Sequence, residues 1–199
     1  DYENIISNAC PGPGACGGMY TANTMSSAIE AMGMSLPYNS SNPAVSDHKL
    51  NEKKKIASSI LNLIRNDIKP SDIITRKSIE NAVRLITILG GSTNAVLHIL
   101  AICKTANIDF NIDDFQKISN ETPFLGNLKP SGKFLMEDLH NIGGIPCVLR
   151  FMMDEGMLNT DCLTVTGKTI GQNLKETPKL DSNQAVSYTH LTLPTSNSV

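Results

Sequence analysis

The stretch "ENAVRLITILGGSTNAVLHILAI", residues 80–102, determines the helical character of this chain. Apolar residues recur every three or four positions on both sides of its two central glycines, which is the spacing of helices that have one apolar face. We therefore predict a helix over 76–89 and a second helix that runs to about residue 106. The first of these helices should bury Ile79, Val83, Ile86 and Leu89.

The turn between these helices carries polar side chains directly after its glycines. Gly90 and Gly91 can end the first helix, and Ser92, Thr93 or Asn94 can cap the second. Hydroxyl groups and free N–H groups at such a turn can bind a carboxylate or a phosphate. The other interpretation is a plain connection between two helices. We take Ser92, Thr93 and Asn94 as candidate substrate-binding residues.

Further helices are indicated by the same spacing. It predicts helices over 21–33, 49–66 and 112–119, and one each within "SGKFLMEDLHNIGG" and "IPCVLRFMMDEGML". Thr21 or Asn23 can cap the first of them. The helix over 49–66 places the following residues on one apolar face: Ile56, Ile60, Leu63 and Ile64.

The pattern changes near residue 163. The segment "DCLTVTGKTIGQNL" alternates β-branched and polar residues around a glycine, which favours a strand and predicts that a β domain begins there. The residues by themselves indicate a helical bundle followed by this β segment.

Composition excludes several classes of function. The chain has 199 residues, 40% of them hydrophobic, and a formal net charge of −2. Basic residues form no extended patch, so a nucleic-acid-binding protein is not expected. No apolar run reaches the roughly 18 residues that a membrane span requires. Five irregularly spaced cysteines indicate a reducing compartment rather than a disulfide framework.

A second stretch, "ACPGPGACGGMYTANTM" at residues 9–25, places Cys16 on a turn rich in proline and glycine. The helix that follows directs its N-terminal N–H groups toward this turn, which favours a thiolate. A thiolate on such a turn suits an iron–sulfur cluster, because the cluster is held by deprotonated cysteines. The alternative is a cysteine that packs as a small apolar group. The spacing between Cys10 and Cys16 matches no standard metal motif.

Other residues with possible chemistry have simpler interpretations. Cys10 can be a second ligand or can pack beneath the turn. His98 lies in an apolar helix and is expected to be a core histidine. Glu137 and His140 share a helix face and can bind a metal, although a solvated face is the commoner meaning of this pattern. The remaining cysteines are expected in the core: Cys103, Cys147 and Cys162.

The two ends of the chain suggest an incomplete sequence. The first residues contain neither an initiator methionine nor a signal peptide, so we expect a portion of a longer protein. At the other end, "VSYTHLTLPT" at 186–195 resembles the translation of a sequencing-library adapter. We predict that residues 186–199 are not native and pack poorly. The alternative is a short native strand.

Four segments together carry a family resemblance. In chain order they are "ACPGPGACGGMYTANTMSSAIEAMGMSLP", "ENAVRLITILGGSTNAVLHILAI", "PSGKFLMEDLHNIGGIPCVLRFMMDEGML" and "LTVTGKTIGQNL". They resemble the dihydroxy-acid and 6-phosphogluconate dehydratases, and the match extends from residue 2 to about residue 180. The resemblance implies an α/β fold. Residues 1–160 would be the helix-rich portion of an α/β/α N-terminal domain, and residues 161–185 would begin a C-terminal β-barrel domain.

The resemblance also implies a reaction and its cofactors. The activity would be loss of water from a 2,3-dihydroxy-3-methyl acid to give a 2-oxo acid, on the route to valine and isoleucine. Cys16 would be the last of three cysteines that hold an iron–sulfur cluster, expected to be 2Fe–2S rather than 4Fe–4S, and Cys10 would not be a ligand. The family's other ligands, including a carbamylated lysine that helps hold Mg²⁺, and its catalytic serine match nothing in this chain. No catalytic residue is therefore assigned, and the chain alone is expected to be inactive.

Partners and location follow from the same resemblance. We expect a small dihydroxy acid as ligand, a homodimer at full length, and a cytoplasmic location, or an organelle matrix or stroma in a eukaryote. A sugar-acid dehydratase acting on an aldonate or phosphogluconate is the alternative within the superfamily. A non-catalytic anion-binding domain that uses the turn at residues 90–94 is the alternative from another class.

Overall fold

A computed structural model describes residues 1–9, 14, 16–181 and 183–192 of this chain. The described residues form ten helices and two short strands, and the predicted helices are confirmed. The bounds in chain order are α1 (Tyr2–Ala9), α2 (Thr21–Ala31), α3 (Asp47–Arg65), α4 (Pro70–Ile73), α5 (Arg76–Ile88), α6 (Asn94–Thr105), α7 (Ile112–Glu121), β1 (Phe124–Gly126), α8 (Met136–Asn141), α9 (Gly144–Asp154), α10 (Ile170–Leu174) and β2 (Ser187–Thr192).

Helix α5 lies at the centre of the fold. Leu85 and Ile88 belong to one apolar cluster, which includes residues of α8 and α9. Ile79 and Val83 belong to a second cluster, formed with α2, α6 and α7. The helix is thus buried on two sides. The prediction for its apolar positions is confirmed, since all four have almost no exposed surface: Ile79, Val83, Ile86 and Leu89.

Helix α3 has the predicted length but not a buried apolar face. The side chains of Ile56, Ile60 and Ile64 are 43%, 51% and 69% exposed. Glu52 is the buried residue of this helix, and its carboxylate accepts a hydrogen bond from Asn42 Nδ2 at 3.2 Å. Polar contacts of this kind hold the start of α3 against the preceding loop.

The segment near residue 163 does not form the predicted strand. Leu163 and Thr169 make a single antiparallel bridge, and Gly167 between them has a φ of +78°. The hydroxyl of Thr164 donates to the Lys168 carbonyl oxygen at 2.8 Å, so residues 163–169 form a tight loop that is closed by its own hydrogen bonds. Helix α10 follows directly. Over the residues described, the sheet has two strands and no barrel forms. The domain boundary at residue 160 stays a prediction.

The C-terminal segment packs more closely than predicted. Strand β2 pairs antiparallel with β1, with Gly126 opposite Ser187. Val186 and Ser187 are 7% and 2% exposed, and the Asn127 N–H donates to the Val186 carbonyl oxygen at 2.9 Å. The prediction of poor packing is therefore wrong for Val186 and Ser187, because their backbone pairs with the open edge of β1. The side chains of residues 188–199 lie outside the described part, and the non-native origin of 186–199 stays a prediction.

None of the helices in the described ranges combines the length and the apolar character that crossing a membrane requires.

Candidate functional site

The turn that carries Cys16 is fixed by backbone contacts with the segment before α8. The Met136 N–H donates to the Gly17 carbonyl oxygen at 2.9 Å, and the Met19 N–H donates to the Lys129 carbonyl oxygen at 2.7 Å. A Cβ atom on Gly18 would lie 2.7 Å from the Lys129 carbonyl oxygen, so a side chain there would push the two segments apart. Glycine at this position lets the cysteine turn lie directly on its neighbour.

The sulfur of Cys16 is neither buried in the core nor fully in solvent. Cys16 is a half-buried free cysteine, and its thiol donates to the Gly18 carbonyl oxygen at 3.2 Å. A metal ligand would exchange this weak hydrogen bond for a bond to iron. Cys10 lies outside the described residues.

Helix α2 begins immediately beside this turn, but not with the predicted cap. Its N-cap residue is Tyr20, which makes no side-chain capping bond. Asn23 instead uses its side-chain amide to donate to the carbonyl oxygens of Cys16 at 2.9 Å and Gly18 at 2.7 Å. Asn23 therefore ties the cysteine turn to the first turn of α2.

The turn between α5 and α6 reaches the same end of α2. The Ser92 N–H donates to Thr24 Oγ1 at 3.0 Å, and the hydroxyls of Thr21 and Ser92 are hydrogen-bonded at 3.1 Å. Asn94 Nδ2 donates to Thr21 Oγ1 at 2.9 Å. The cysteine turn and the turn at residues 90–94 thus meet at the start of α2, beside Thr21. They are about 75 residues apart in the sequence.

A close approach of the chain makes this meeting possible. A Cβ atom on Gly91 would lie 2.8 Å from Thr24 Cγ2 and 3.1 Å from the Ile86 carbonyl oxygen. The Gly91 N–H donates to that same carbonyl at 2.8 Å, which closes the end of α5. Any larger residue would separate the turn from α2.

The backbone N–H groups at the start of α6 are already bonded. The N–H of Asn94 donates to Ser92 Oγ at 3.3 Å, and the N–H groups of Ala95 and Val96 donate to carbonyl oxygens of the turn, each at 3.1 Å. Thr93 is the N-cap residue but makes no side-chain capping bond, and its side chain is exposed. A ligand here would be contacted through side chains rather than through free N–H groups. The binding role of Ser92, Thr93 and Asn94 stays a prediction.

An open cavity of about 500 Å³ adjoins this junction. His98 lines it and is exposed, so the expectation of a core histidine is wrong. The helical period places this residue on the outer side of α6, whereas Ala95 and Ile99 face inward. The lining residues are Thr21, Ala22, Met25, His98, Ala101 and Ile102.

The three other described cysteines lie in the core, as predicted. Cys103 and Cys147 have no exposed surface, and Cys162 is 7% exposed. Burial raises the pKa of all three thiols, that of Cys162 to about 11. Thiols that resist deprotonation are poor iron ligands, since iron binds the thiolate. Cys16 differs from them in its access to solvent.

No metal site is complete within the described ranges. They contain no group of three or more His, Cys, Asp or Glu side chains placed to hold a metal ion. Glu137 is exposed, and the ring of His140 packs against the ring of His48. Cys16 fits an iron–sulfur cluster as a single ligand, because its turn is narrow, glycine-lined and accessible. The role of Cys16 as a cluster ligand stays a prediction.

The sequence interpretation missed Thr21 and Thr24 as residues that join the two segments. Their spacing of three places both hydroxyls on one face of the first turn of α2, which is a detectable signal. Thr24 is completely buried and donates to the Met19 carbonyl oxygen at 3.2 Å, while its oxygen accepts the Ser92 N–H. What the sequence does not show is that α6 begins at the same place.

Comparison with known proteins gives the family. A family model described as dihydroxy-acid/6-phosphogluconate dehydratase N-terminal matches residues 1–173. A dihydroxy-acid dehydratase of Cytophaga hutchinsonii is 55% identical over 188 residues, which are 94% of this chain and 34% of the relative. One from Lactococcus lactis subsp. cremoris is 58% identical over 181 residues, 91% of this chain and 32% of the relative.

A plant relative shows a similar degree of likeness. The chloroplastic dihydroxy-acid dehydratase of Arabidopsis thaliana is 54% identical over 184 residues, 92% of this chain and 30% of the relative. The chain thus spans about a third of the length of the curated relatives that it matches. Because the family model covers most of the chain, this protein belongs to the dihydroxy-acid/6-phosphogluconate dehydratase family.

Proposed function

We propose that this chain is a segment of a dihydroxy-acid dehydratase, a hydro-lyase that converts 2,3-dihydroxy-3-methyl acids to 2-oxo acids in valine and isoleucine synthesis. Support comes from the names of relatives that are 54–58% identical over nearly the whole chain. The proposal applies to the full-length protein, since the chain matches about a third of those relatives.

One structural observation carries the proposal for the site. The Cys16 turn and the residues 92–94 are far apart in sequence, and both are bonded to the first turn of α2. A thiolate ligand and a group of hydroxyl and amide side chains therefore belong to one side of the molecule. An iron-dependent dehydration needs such a combination, because the substrate must be oriented beside the metal.

Cys16 would supply one thiolate to an iron–sulfur cluster, with the remaining cysteine ligands from the part of the full-length protein that this chain does not span. When bound, such a cluster supplies a Lewis acid for a departing hydroxyl group. Ligands for Mg²⁺ are proposed to come from that same remaining part, together with the catalytic base.

The side chains at the start of α6 would contact the substrate. The Thr93 hydroxyl is exposed and has no hydrogen-bond partner among the described residues, so it is available to a hydroxyl or carboxylate group of a dihydroxy acid. Ser92 and Asn94 are bonded to Thr21, which fixes their orientation. In this proposal Thr93 contacts the ligand and its neighbours hold the turn in place.

The full-length protein is proposed to act as a homodimer in the cytoplasm, or in an organelle of a eukaryote. Both proposals rest on the family resemblance.

A chimeric enzyme tests the proposed activity. Residues 1–173 would replace the matching segment of the Lactococcus lactis relative, and the chimera would be purified without oxygen. We expect it to dehydrate 2,3-dihydroxy-3-methylbutanoate and to leave gluconate unchanged. Dehydration of gluconate in preference would identify a sugar-acid dehydratase instead. A folded chimera with a full complement of iron and no activity on either acid would contradict the proposal.

A matched pair of variants in this chimera tests the role of Thr93. We expect Thr93→Val to raise KM about three- to tenfold, because it removes a hydrogen bond to the substrate. Thr105→Val is the control, since Thr105 is an exposed threonine at the other end of α6. Equal KM values for the two variants would exclude contact between Thr93 and the substrate.

A further inference from the structure

A second cavity lies between the start of α3 and the end of α8. Its volume is about 560 Å³, within the range of small-molecule sites. None of its lining residues belongs to the junction around Thr21. Its apolar wall is formed by Leu36 and Pro37, and its polar wall includes His48, Lys55 and His140.

Two histidines from different helices meet in this cavity. The rings of His48 and His140 have centroids 5.7 Å apart and an interplanar angle of 61°. His140 Nδ1 is buried and has no hydrogen-bond partner among the described residues, while the ring lines the cavity. In the neutral tautomer with its hydrogen on Nε2, His140 buries no unpaired N–H group at Nδ1. Its donor then lies on the side of the ring away from the buried Nδ1.

The negative charge in the cavity is already compensated. The Glu52 carboxylate accepts hydrogen bonds from the side-chain amides of Asn39 and Asn42, and forms an ion pair with Lys49 at 3.4 Å. Lys55 is exposed and forms no ion pair within the described part of the chain. Among the described residues, the Lys55 ammonium group and the two imidazoles are therefore the cavity groups that could bind an anion.

We propose that this cavity binds a small organic anion, whose carboxylate or phosphate group contacts His48, His140 and Lys55 and whose apolar body lies on Leu36 and Pro37. Unpaired donors beside an apolar wall suit a ligand with one charged end, because charge-assisted hydrogen bonds orient that end while the wall removes the rest from water. The proposal does not depend on the proposed dehydratase activity, since the two sites share no residue.

The binding should strengthen as pH falls. Burial and the neighbouring charge of His48 lower the pKa of His140, against a smaller opposing effect of Glu137. The other titratable side chains that line the cavity are Tyr38, Glu52 and Lys55, and Glu52 is paired with Lys49. An anion favours the protonated form of the His140 imidazole, so it is bound more tightly below the pKa of His140 than above it.

Calorimetry and NMR with three phenyl compounds test this on the 199-residue chain. Phenyl phosphate and benzoate carry the two candidate head groups, and benzamide is the uncharged control. We expect at least one of the two anions to bind and to shift the ring resonances of His48 and His140, and benzamide to leave them unchanged. The anion that binds with the higher affinity identifies the preferred head group.

Two variants locate the binding. Lys55→Gln and His48→Gln should each weaken the affinity about three- to tenfold. Affinity measured at several pH values should increase as His140 becomes protonated. Lys53→Gln is the matched control, since Lys53 is exposed on the same helix but does not line the cavity. Absence of any shift in the two ring resonances at millimolar phenyl phosphate and benzoate, or equal effects of Lys53→Gln and Lys55→Gln, would overturn the proposal.

Discussion

Helices α3 and α5 have similar apolar spacing in the sequence and very different surroundings in the fold. Leu85 and Ile88 of α5 have no exposed surface, whereas Ile60 and Ile64 of α3 are 51% and 69% exposed. Helix α5 lies between two apolar clusters, while α3 is attached to its neighbours largely by polar contacts. Periodicity indicates that a helix has an apolar face, but only the neighbouring elements decide whether that face is buried.

The largest expected difference between the two helices is in the cost of removing an apolar side chain. We expect Leu85→Ala to lower the free energy of unfolding by about 3 to 5 kcal/mol, because it leaves a cavity in a packed core. Ile60→Ala should change it by no more than about 0.5 kcal/mol, as is usual for an exposed side chain. Urea unfolding of both variants measures this, and equal losses would contradict the distinction between the helices.

The next largest effect concerns a buried carboxyl group on α2, the helix that packs on α5. Burial raises the pKa of Glu30 from its usual 4.5 to about 7, although hydrogen bonds from Ser40 and Tyr38 oppose the rise. Between these values the folded protein holds a proton that the unfolded chain releases. The free energy of unfolding should therefore fall by about 3 kcal/mol as pH rises from 4.5 to 7.

Glu30→Gln should remove this dependence, because an amide does not titrate. Glu121→Gln is the control, since Glu121 is an exposed acid at the end of α7. Urea unfolding at several pH values measures the slope for each variant. The same slope in Glu30→Gln and in the unaltered chain would show that another group is responsible.

The smallest of the three effects compares two asparagines. Asn81 of α5 is completely buried, accepts the Asn159 N–H at 2.8 Å and donates to the Asn159 carbonyl oxygen at 3.0 Å. Asn81→Ala should cost about 1 to 3 kcal/mol, since it leaves the partly buried N–H and carbonyl groups of Asn159 unpaired. Asn62 of α3 donates to the Thr166 carbonyl oxygen at 3.5 Å, so Asn62→Ala should cost less than about 0.5 kcal/mol. A larger loss of stability for Asn62→Ala than for Asn81→Ala in thermal unfolding would contradict this ranking.

The helices could be predicted from the sequence because their signals are local. Glycines at 90 and 91 end α5 where expected, and the spacing around Ile79 and Val83 identifies its buried sides. Capping was less predictable. Asn23 bonds the preceding turn instead of its own helix end, because a carbonyl pair lies within its reach. These bonds depend on how the cysteine turn folds, which cannot be predicted from a local sequence pattern.

Contacts between distant segments account for the remaining errors. His98 faces solvent because α6 is packed only on its inner side, and the strand expected near Leu163 is a closed loop because Thr164 bonds within it. Alternation of residue type predicts an extended segment only where a second strand is available to pair with it. For Ser187 such a partner exists in β1, and a strand forms.

We propose that Cys16, alone among the cysteines of the described residues, holds an iron–sulfur cluster in the full-length protein. The direct measurement is iron and sulfide per subunit, with visible absorbance, in the chimera purified without oxygen. We predict that Cys16→Ser abolishes the cluster, whereas Cys10→Ser and Cys162→Ser retain most of it, because a hydroxyl is a much poorer iron ligand than a thiolate. Full iron and sulfide in the Cys16→Ser chimera would contradict the account.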